Sequence, residues 1–430
     1  MERTIGVGLL GMGVVGEGVA RVLSTKKDLI RRQIGVSVDL RGVLVRDRNK
    51  PRSYEISKDL FVDSIEDLID NTEVDIVIEV IGGEYPALDY ILASVKKGKN
   101  VVTANKEVMA KHGPDIFQVA RENNVRVLFE ASVAGGTPIV SPLMRDLVAN
   151  DIKSIKAIIN GTTNYILTKM AQEKSEFADT LREAQSLGYA EPDPTNDVDG
   201  VDAVYKLAIL STLAFRGRIR DTDIYCEGLS RLEPQDFQYA EELGYAIKLL
   251  AIATLNGRKV QARVHPALIR KDQMLAKVDG VLNAVEVEAD IAESILFHGP
   301  GAGSMPTASA VIGDVVNISR NLVGASGFPD PLKLSENIVV QPITSLRTQY
   351  YVRLEAEDSP GVLAQIASVL GQNEISISSF IQKGTNHEFG TAELVIMTHE
   401  ALEGSIQNAL DGINKLGVVA SVGNMIRVVQ

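Results

Sequence analysis

The feature that most limits the fold is the alternation of short apolar runs with helical patterns between Ile5 and Glu130. Ile5–Leu10, Leu40–Val45, Val74–Val80, Asn100–Thr103 and Val125–Glu130 read as strands. Helix candidates Gly13–Leu23, Ser64–Ile69, Pro86–Lys97 and Gly113–Asn123 lie among them. Apolar strands separated by helices suit a parallel sheet covered on both faces. The expected class is therefore α/β, opening with a Rossmann-type nucleotide-binding domain.

From about residue 150 the pattern changes. Ile152–Ile159, Val260–Val264 and Ala284–Ala289 read as strands, and Asn164–Lys174, Phe177–Leu187, Val201–Phe215 and Pro306–Arg320 as helices. Beyond them, Tyr350–Ala356, Gly361–Gly371, Ile375–Gln382, Thr391–Met397, Glu403–Leu416 and Ser421–Arg427 follow the βαββαβ order of a ferredoxin-like module. The expected domains are a nucleotide-binding domain over 1–135 with 304–322 returning to it, and an α+β catalytic and oligomerisation domain over 136–303. A linker over 323–347 and a C-terminal regulatory module over 348–430 complete the chain.

With 430 residues, 45% of them hydrophobic and 23% charged, the chain reads as a soluble multidomain protein. Its formal net charge of −12 argues against nucleic acid and anionic membranes as partners. No apolar run approaches the roughly 18 residues of a membrane span. The one cysteine, Cys226, excludes an internal disulfide and a cysteine metal cluster. Together these point to a cytoplasmic protein.

Four clusters carry chemistry. Gly11, Gly13 and Gly16 hold the G-x-G-x-x-G spacing directly after a strand, so the run Gly11-Met12-Gly13-Val14-Val15-Gly16 is the candidate dinucleotide turn. The second strand ends in Arg46-Asp47. A guanidinium there suits the 2′-phosphate of NADP, and a carboxylate suits the ribose of NAD; both cofactors stay open, with NADP slightly favoured. Thr103-Ala-Asn105-Lys106 follows a strand at the sheet edge where cofactor sites open. Glu130–Pro138 joins a carboxylate to a Gly-rich loop, and oxygen-only groups suit a hard cation such as sodium, although a plain crossover loop explains the segment equally well.

The fourth cluster, Gly188–Lys206, is the most informative. Glu191, Asp193, Asp197, Asp199 and Asp202 precede Lys206, and five carboxylates just ahead of a lysine in a mainly apolar helix point to a site, with Glu191, Asp197 and Asp202 as candidate residues. Asp202 and Lys206 stand four apart on one helix face. Leu-Ala-Ile-Leu after Lys206 desolvates the ammonium and moves it towards neutrality, which suits proton exchange with an alcohol or carbonyl oxygen. A purely structural ion pair is the plainer alternative.

At these motifs, together with Asn160-Gly-Thr-Thr-Asn164 and Gly299–Gly303, residues 1–335 resemble the homoserine dehydrogenase family. The resemblance implies interconversion of L-homoserine and L-aspartate 4-semialdehyde with NAD(P), on the route to threonine, methionine and isoleucine. It implies that Lys206 is the acid/base, Asp202 positions it and the substrate, Glu191 holds the substrate amino group, and Lys106 lies between substrate and cofactor. It further implies a sodium site at Glu130, Val133, Gly135 and Thr137, a nicotinamide lining by Gly188 and Gly303, and a homo-oligomer, dimeric or tetrameric. Residues 348–430 resemble an ACT domain, carried by Asp358-Ser-Pro-Gly361-Val362-Leu363. That turn is suited to bind the ammonium and carboxylate of a free amino acid, L-threonine being the expected effector.

Other classes fit less well. A semialdehyde dehydrogenase needs a cysteine nucleophile, and Cys226 has no histidine near it in sequence. A histidine-based hydroxyacid dehydrogenase would have to use His298. A nucleotide-responsive regulator lacks a recognisable DNA-reading helix pair.

Overall fold

The computed structural model describes residues 3–324, 343–386 and 390–428. The chain divides into two compact units, Met1–Lys333 and Leu334–Gln430. Most of the expected linker, residues 325–342, lies outside the described residues.

The first unit opens with β1 (Thr4–Leu10), α1 (Val14–Thr25), α2 (Lys27–Ile34), β2 (Ser37–Leu44), β3 (Phe61–Val62), α3 (Ile65–Ile69), β4 (Ile76–Glu79), α4 (Ala87–Lys96), β5 (Asn100–Thr103), α5 (Lys106–Glu122) and β6 (Val127–Leu128). These strands form one sheet in the order β3-β2-β1-β4-β5-β6, with every pairing parallel. Strand order reverses between β1 and β4, the crevice where nucleotides bind in such sheets. Ile5, Val7, Leu9 and Ile78 are wholly buried. Removing each such side chain from water contributes roughly 1.5–3 kcal/mol.

A second sheet follows, built from β7 (Ile152–Ile158), α6 (Gly161–Glu173), α7 (Phe177–Ser186), α8 (Thr195–Val198), α9 (Val201–Phe215), β8 (Tyr225–Cys226), α10 (Pro234–Glu242), β9 (Tyr245–Asn256), β10 (Lys259–Arg270), β11 (Leu282–Ala289) and β12 (Ser294–Pro300). Its order is β12-β11-β7-β9-β10-β8. Helix α11 (Ser304–Leu322) then returns to the first sheet, where Ala308, Val311, Val315 and Ile318 join the core of Ile5, Val7 and Val19. Met109 and Ile116 of α5 share a core with Leu207 and Ile209 of α9, which locks the two halves of this unit together.

Three sequence expectations need correction. Helix α5 starts at Lys106 and not near Gly113. Asn105 caps it by accepting the Val108 N–H at 3.1 Å, and Pro114 is carried inside the helix. The strand expected over Val125–Glu130 shrinks to Val127–Leu128, because Glu130–Ser132 turns into a short 3-10 helix. β9 was not expected at all. Ile247–Ala253 is buried on both faces of the sheet, so its sequence lacks the period-two alternation.

The second unit contains β13 (Arg347–Glu357), α12 (Val362–Gln372), β14 (Ile377–Asn386), β15 (Thr391–Thr398), β16 (Ala401–Leu402), α13 (Glu403–Ile413) and β17 (Val419–Val428). The main strands pair antiparallel in the order β14-β15-β13-β17, as the βαββαβ reading requires. Val352, Leu354, Ile366, Ile396 and Ile406 form its core.

Candidate active site

The glycine turn lies at the C-terminal end of β1. Gly11 takes a left-handed φ of +96°, and a Cβ on Gly16 would fall 2.3 Å from the Gly11 carbonyl oxygen. Gly13 precedes α1 without any side-chain cap and with open space beside it, so the free N–H groups of the first helical turn face the crevice. That arrangement fits a pyrophosphate. Val14 is exposed, whereas the Met12 side chain is buried. Gly303, at φ +122°, leads into Ser304, whose hydroxyl donates to the Val14 carbonyl at 2.6 Å and ties α11 to the turn.

The loop after β2 is held by Arg52. Its guanidinium donates to the carbonyls of Asp47 at 2.6 Å, Lys50 at 3.0 Å and Arg48 at 3.1 Å. The loop and Phe61 enclose a cleft of about 490 Å³ lined by Met12, Arg48, Lys50, Arg52 and Lys58. Arg48 pairs with Asp63 at 2.5 Å. Arg46 is exposed at the end of β2.

The proton-handling groups meet where three helices begin. Asp202, in the first turn of α9, is buried. Lys206 donates to Asp202 Oδ2 at 2.7 Å and to the Ile159 carbonyl at 2.7 Å. Lys106, the first residue of α5, pairs with Asp202 Oδ1. Asn160 caps α6 by accepting the Thr163 N–H at 2.8 Å, and its Nδ2 donates to Asp197 at 2.6 Å and to Asp202 at 2.8 Å. The amide thus bridges the two carboxylates. Glu191 is exposed, near enough for its charge to act on Lys106.

The charges follow from these contacts. Burial pushes the Lys206 ammonium below its ordinary value, and the Asp202 carboxylate opposes that push. Burial also raises the Asp202 carboxyl, but Lys206 and Lys106 overcome it and hold Asp202 far below the usual carboxylate range. Lys106 is lowered by burial and raised by Asp202, Asp197 and Glu191, with the carboxylates prevailing.

Gly188 ends α7 with φ +74° and is exposed. The Glu130 carboxylate accepts three backbone bonds: Oε1 accepts the N–H groups of Ile139 at 2.7 Å and Val140 at 2.9 Å, and Oε2 that of Ser141 at 2.6 Å. The carboxylate thus holds the backbone that follows the Gly-rich loop. Val133 and Thr137 are buried, and Gly135 has φ +52°. Among the described residues no group of His, Cys, Asp and Glu is arranged to hold a metal, and no helix is long and apolar enough to cross a membrane.

In the second unit, Gly361 precedes α12 with φ +93°, and Asp358 Oδ1 accepts from Gln382 Nε2 at 3.1 Å. Leu363 is exposed, whereas the Val362 side chain is buried in the core. Sequence reading missed Asn160 as a site residue, together with Ser304 and Arg52. Asn160 alone left a signal, as a helix-capping residue at the end of a strand.

Comparison with known proteins matches residues 11–130 to the NAD-binding domain of homoserine dehydrogenase, residues 138–316 to homoserine dehydrogenase and residues 350–418 to the ACT domain. The chain is 43% identical to homoserine dehydrogenase of Neisseria gonorrhoeae, over 99% of this chain and 98% of that one. A homoserine dehydrogenase structure from Thiobacillus denitrificans superimposes with a TM-score of 0.72 at 41% identity, covering 99% and 98% of the two chains. A hyperthermophilic archaeal homoserine dehydrogenase in complex with NADPH aligns with a TM-score of 0.63 at 26% identity, covering 74% of this chain and 98% of that one. The chain belongs to the homoserine dehydrogenase family, as an NAD(P)-dependent oxidoreductase with a C-terminal ACT domain.

Proposed function

We propose that Lys206 is the acid/base of the reaction, oriented by Asp202, with Lys106 completing a charged triad between substrate and cofactor. The observation that carries this reading is the buried Asp202 carboxylate shared by both lysines. The nicotinamide supplies the hydride chemistry when bound. In the oxidation of L-homoserine, neutral Lys206 accepts the hydroxyl proton as the C–H bond gives up hydride. In the reverse direction the Lys206 ammonium protonates the carbonyl oxygen of L-aspartate 4-semialdehyde. Two of its three protons are committed to Ile159 and Asp202, which leaves one to face the substrate. Glu191 and Asp197 supply negative charge for the substrate ammonium. Asp202→Asn tests the arrangement, since it keeps the shape and removes the charge. A fall in turnover by about a hundred-fold, with cofactor affinity unchanged, is expected. An equally active variant would remove Asp202 from the scheme.

The cations of the adenosine-side cleft and Arg46 favour NADP over NAD, and the archaeal relative was solved with NADPH. A sodium ion would sit on the carbonyl oxygens of Glu130, Val133, Gly135 and Thr137. The ACT domain supports control by an amino acid, for which L-threonine is the favoured effector. Tyr239, Leu243 and Leu268 line one exposed apolar groove, which supports a homo-oligomer. The acidic composition with a single cysteine supports a place in the cytoplasm.

A further inference from the structure

Glu79, the last residue of β4, is wholly buried and has no part in the proton transfer above. A carboxylate in such a place must be held by donors. Thr103 donates its hydroxyl to Oε2 at 2.6 Å, and the Ile81 N–H donates to Oε1 at 2.8 Å. Thr103 Oγ1 in turn accepts the Asn105 N–H at 2.9 Å, and the Glu79 carbonyl accepts the Ala104 N–H at 3.1 Å. Asn105 also donates from Nδ2 to the Gly83 carbonyl at 2.7 Å. Burial pushes the Glu79 carboxyl up, and these donors offset part of that push.

One carboxylate thus joins two neighbouring segments, the loops that follow the adjacent strands β4 and β5. Val80–Gly83 backs the glycine turn: the Val80 N–H donates to the Leu10 carbonyl at 2.9 Å, and the Val80 carbonyl oxygen lies 3.0 Å from where a Cβ on Gly11 would be. Thr103–Asn105 sets the start of α5, from which Lys106 reaches Asp202. Glu84, beyond the first segment, is pinned to α5 as well, by Lys111 at 2.7 Å and His112 at 2.8 Å.

We propose that Glu79 is a positioning residue that ties the glycine turn to Lys106 through Thr103 and Asn105, so that one buried network sets both the cofactor seat and the Lys106–Asp202 pair. This rests on the reading that the dinucleotide occupies the Gly11–Gly16 turn and that Lys106 serves the reaction. Glu79 touches neither substrate nor cofactor. It acts through the backbone it holds.

The test uses Glu79→Gln and Thr103→Val, singly and together, in the full chain. NADPH and NADH affinities are read by fluorescence, alongside kcat, KM for L-homoserine and the thermal midpoint. Each single change is expected to weaken cofactor binding by about three- to thirty-fold, the range in which residues that contact no ligand change an affinity through a packed network. KM for L-homoserine should move little, since Asn160, Asp197 and Glu191 stand on other elements. The double variant should be no worse than the worse single one, because both break the same link. A merely structural residue would lower the thermal midpoint and leave the affinity of the folded fraction unchanged, and that result overturns the proposal. So do cofactor affinities within about two-fold of the parent, or losses that multiply. Should Glu79→Gln fail to fold, the affinity of Thr103→Val decides alone. Failure of the parent chain to oxidise L-homoserine in the same assay would instead sink the underlying reading.

Discussion

Lys106, at the first position of α5, pairs with Asp202 in the first turn of α9, and the pair joins the nucleotide-binding sheet to the catalytic one. Asp202 also accepts from Lys206, so the two lysines act on one carboxylate. Groups that work as a unit give losses that do not multiply. Lys106→Ala and Asp202→Asn should each lower kcat/KM for L-homoserine strongly, and the double variant should lose less than the product of the two. Steady-state kinetics on the four proteins checks this, and multiplicative losses would mean that the pair is not a working unit.

The burial of Lys206 sets the pH dependence. Burial favours the neutral amine and Asp202 favours the ammonium. Alcohol oxidation needs the neutral amine, so its kcat/KM should rise with pH through a limb below the ordinary lysine value, whereas aldehyde reduction should fall across the same limb. Asp202→Asn removes the group that raises Lys206, so the limb should move to lower pH. The limb belongs to the coupled lysine–carboxylate cluster as a whole. Rate–pH profiles in both directions test the sign, and a limb that stays fixed or moves to higher pH contradicts it.

Cofactor choice follows from which cations are free. Arg48 is paired with Asp63, and Arg52 is spent on backbone carbonyls. Among the described residues the side chains of Arg46, Lys50 and Lys58 keep no protein partner and so remain available for a 2′-phosphate. Arg46→Ala and Lys58→Ala should raise KM for NADP by about one to two decades between them, the worth of a charge-assisted hydrogen bond, with KM for NAD nearly unchanged. Equal effects on both cofactors would show that neither residue reads the ribose.

How far the sequence carries depends on whether a feature is local. The strand–glycine turn–helix opening and the Asp202/Lys206 spacing are local, and both are legible. The Lys106–Asp202 pair is tertiary, and no periodicity announces it. Gly113-Pro114 looks like a helix start, yet the helix begins upstream under the Asn105 cap and carries Pro114 at the cost of one backbone bond. Glu79 at the end of an apolar strand looks like any polar strand end, and only the fold shows that it is buried. Glu130 reads as a carboxylate beside a Gly-rich loop, and only the fold shows that it accepts the backbone N–H groups of Ile139, Val140 and Ser141.

The Asp358–Leu363 turn makes a separate prediction. L-Threonine should inhibit the full chain, and Asp358→Ala should raise the half-inhibiting concentration by about ten-fold or more while uninhibited turnover stays the same, in line with couplings of roughly 1–3 kcal/mol. A chain ending at Lys333 should keep turnover and lose the inhibition. Inhibition that survives in the shortened chain places the effector site in the first unit.

The role of Lys206 is tested most directly by the turnover number of Lys206→Ala in L-homoserine oxidation, followed as NADPH formation with cofactor affinity measured in parallel. The account predicts a fall of about 10²–10⁴, the range for removing a general acid/base, with cofactor affinity little changed. Turnover close to that of the parent chain would contradict it.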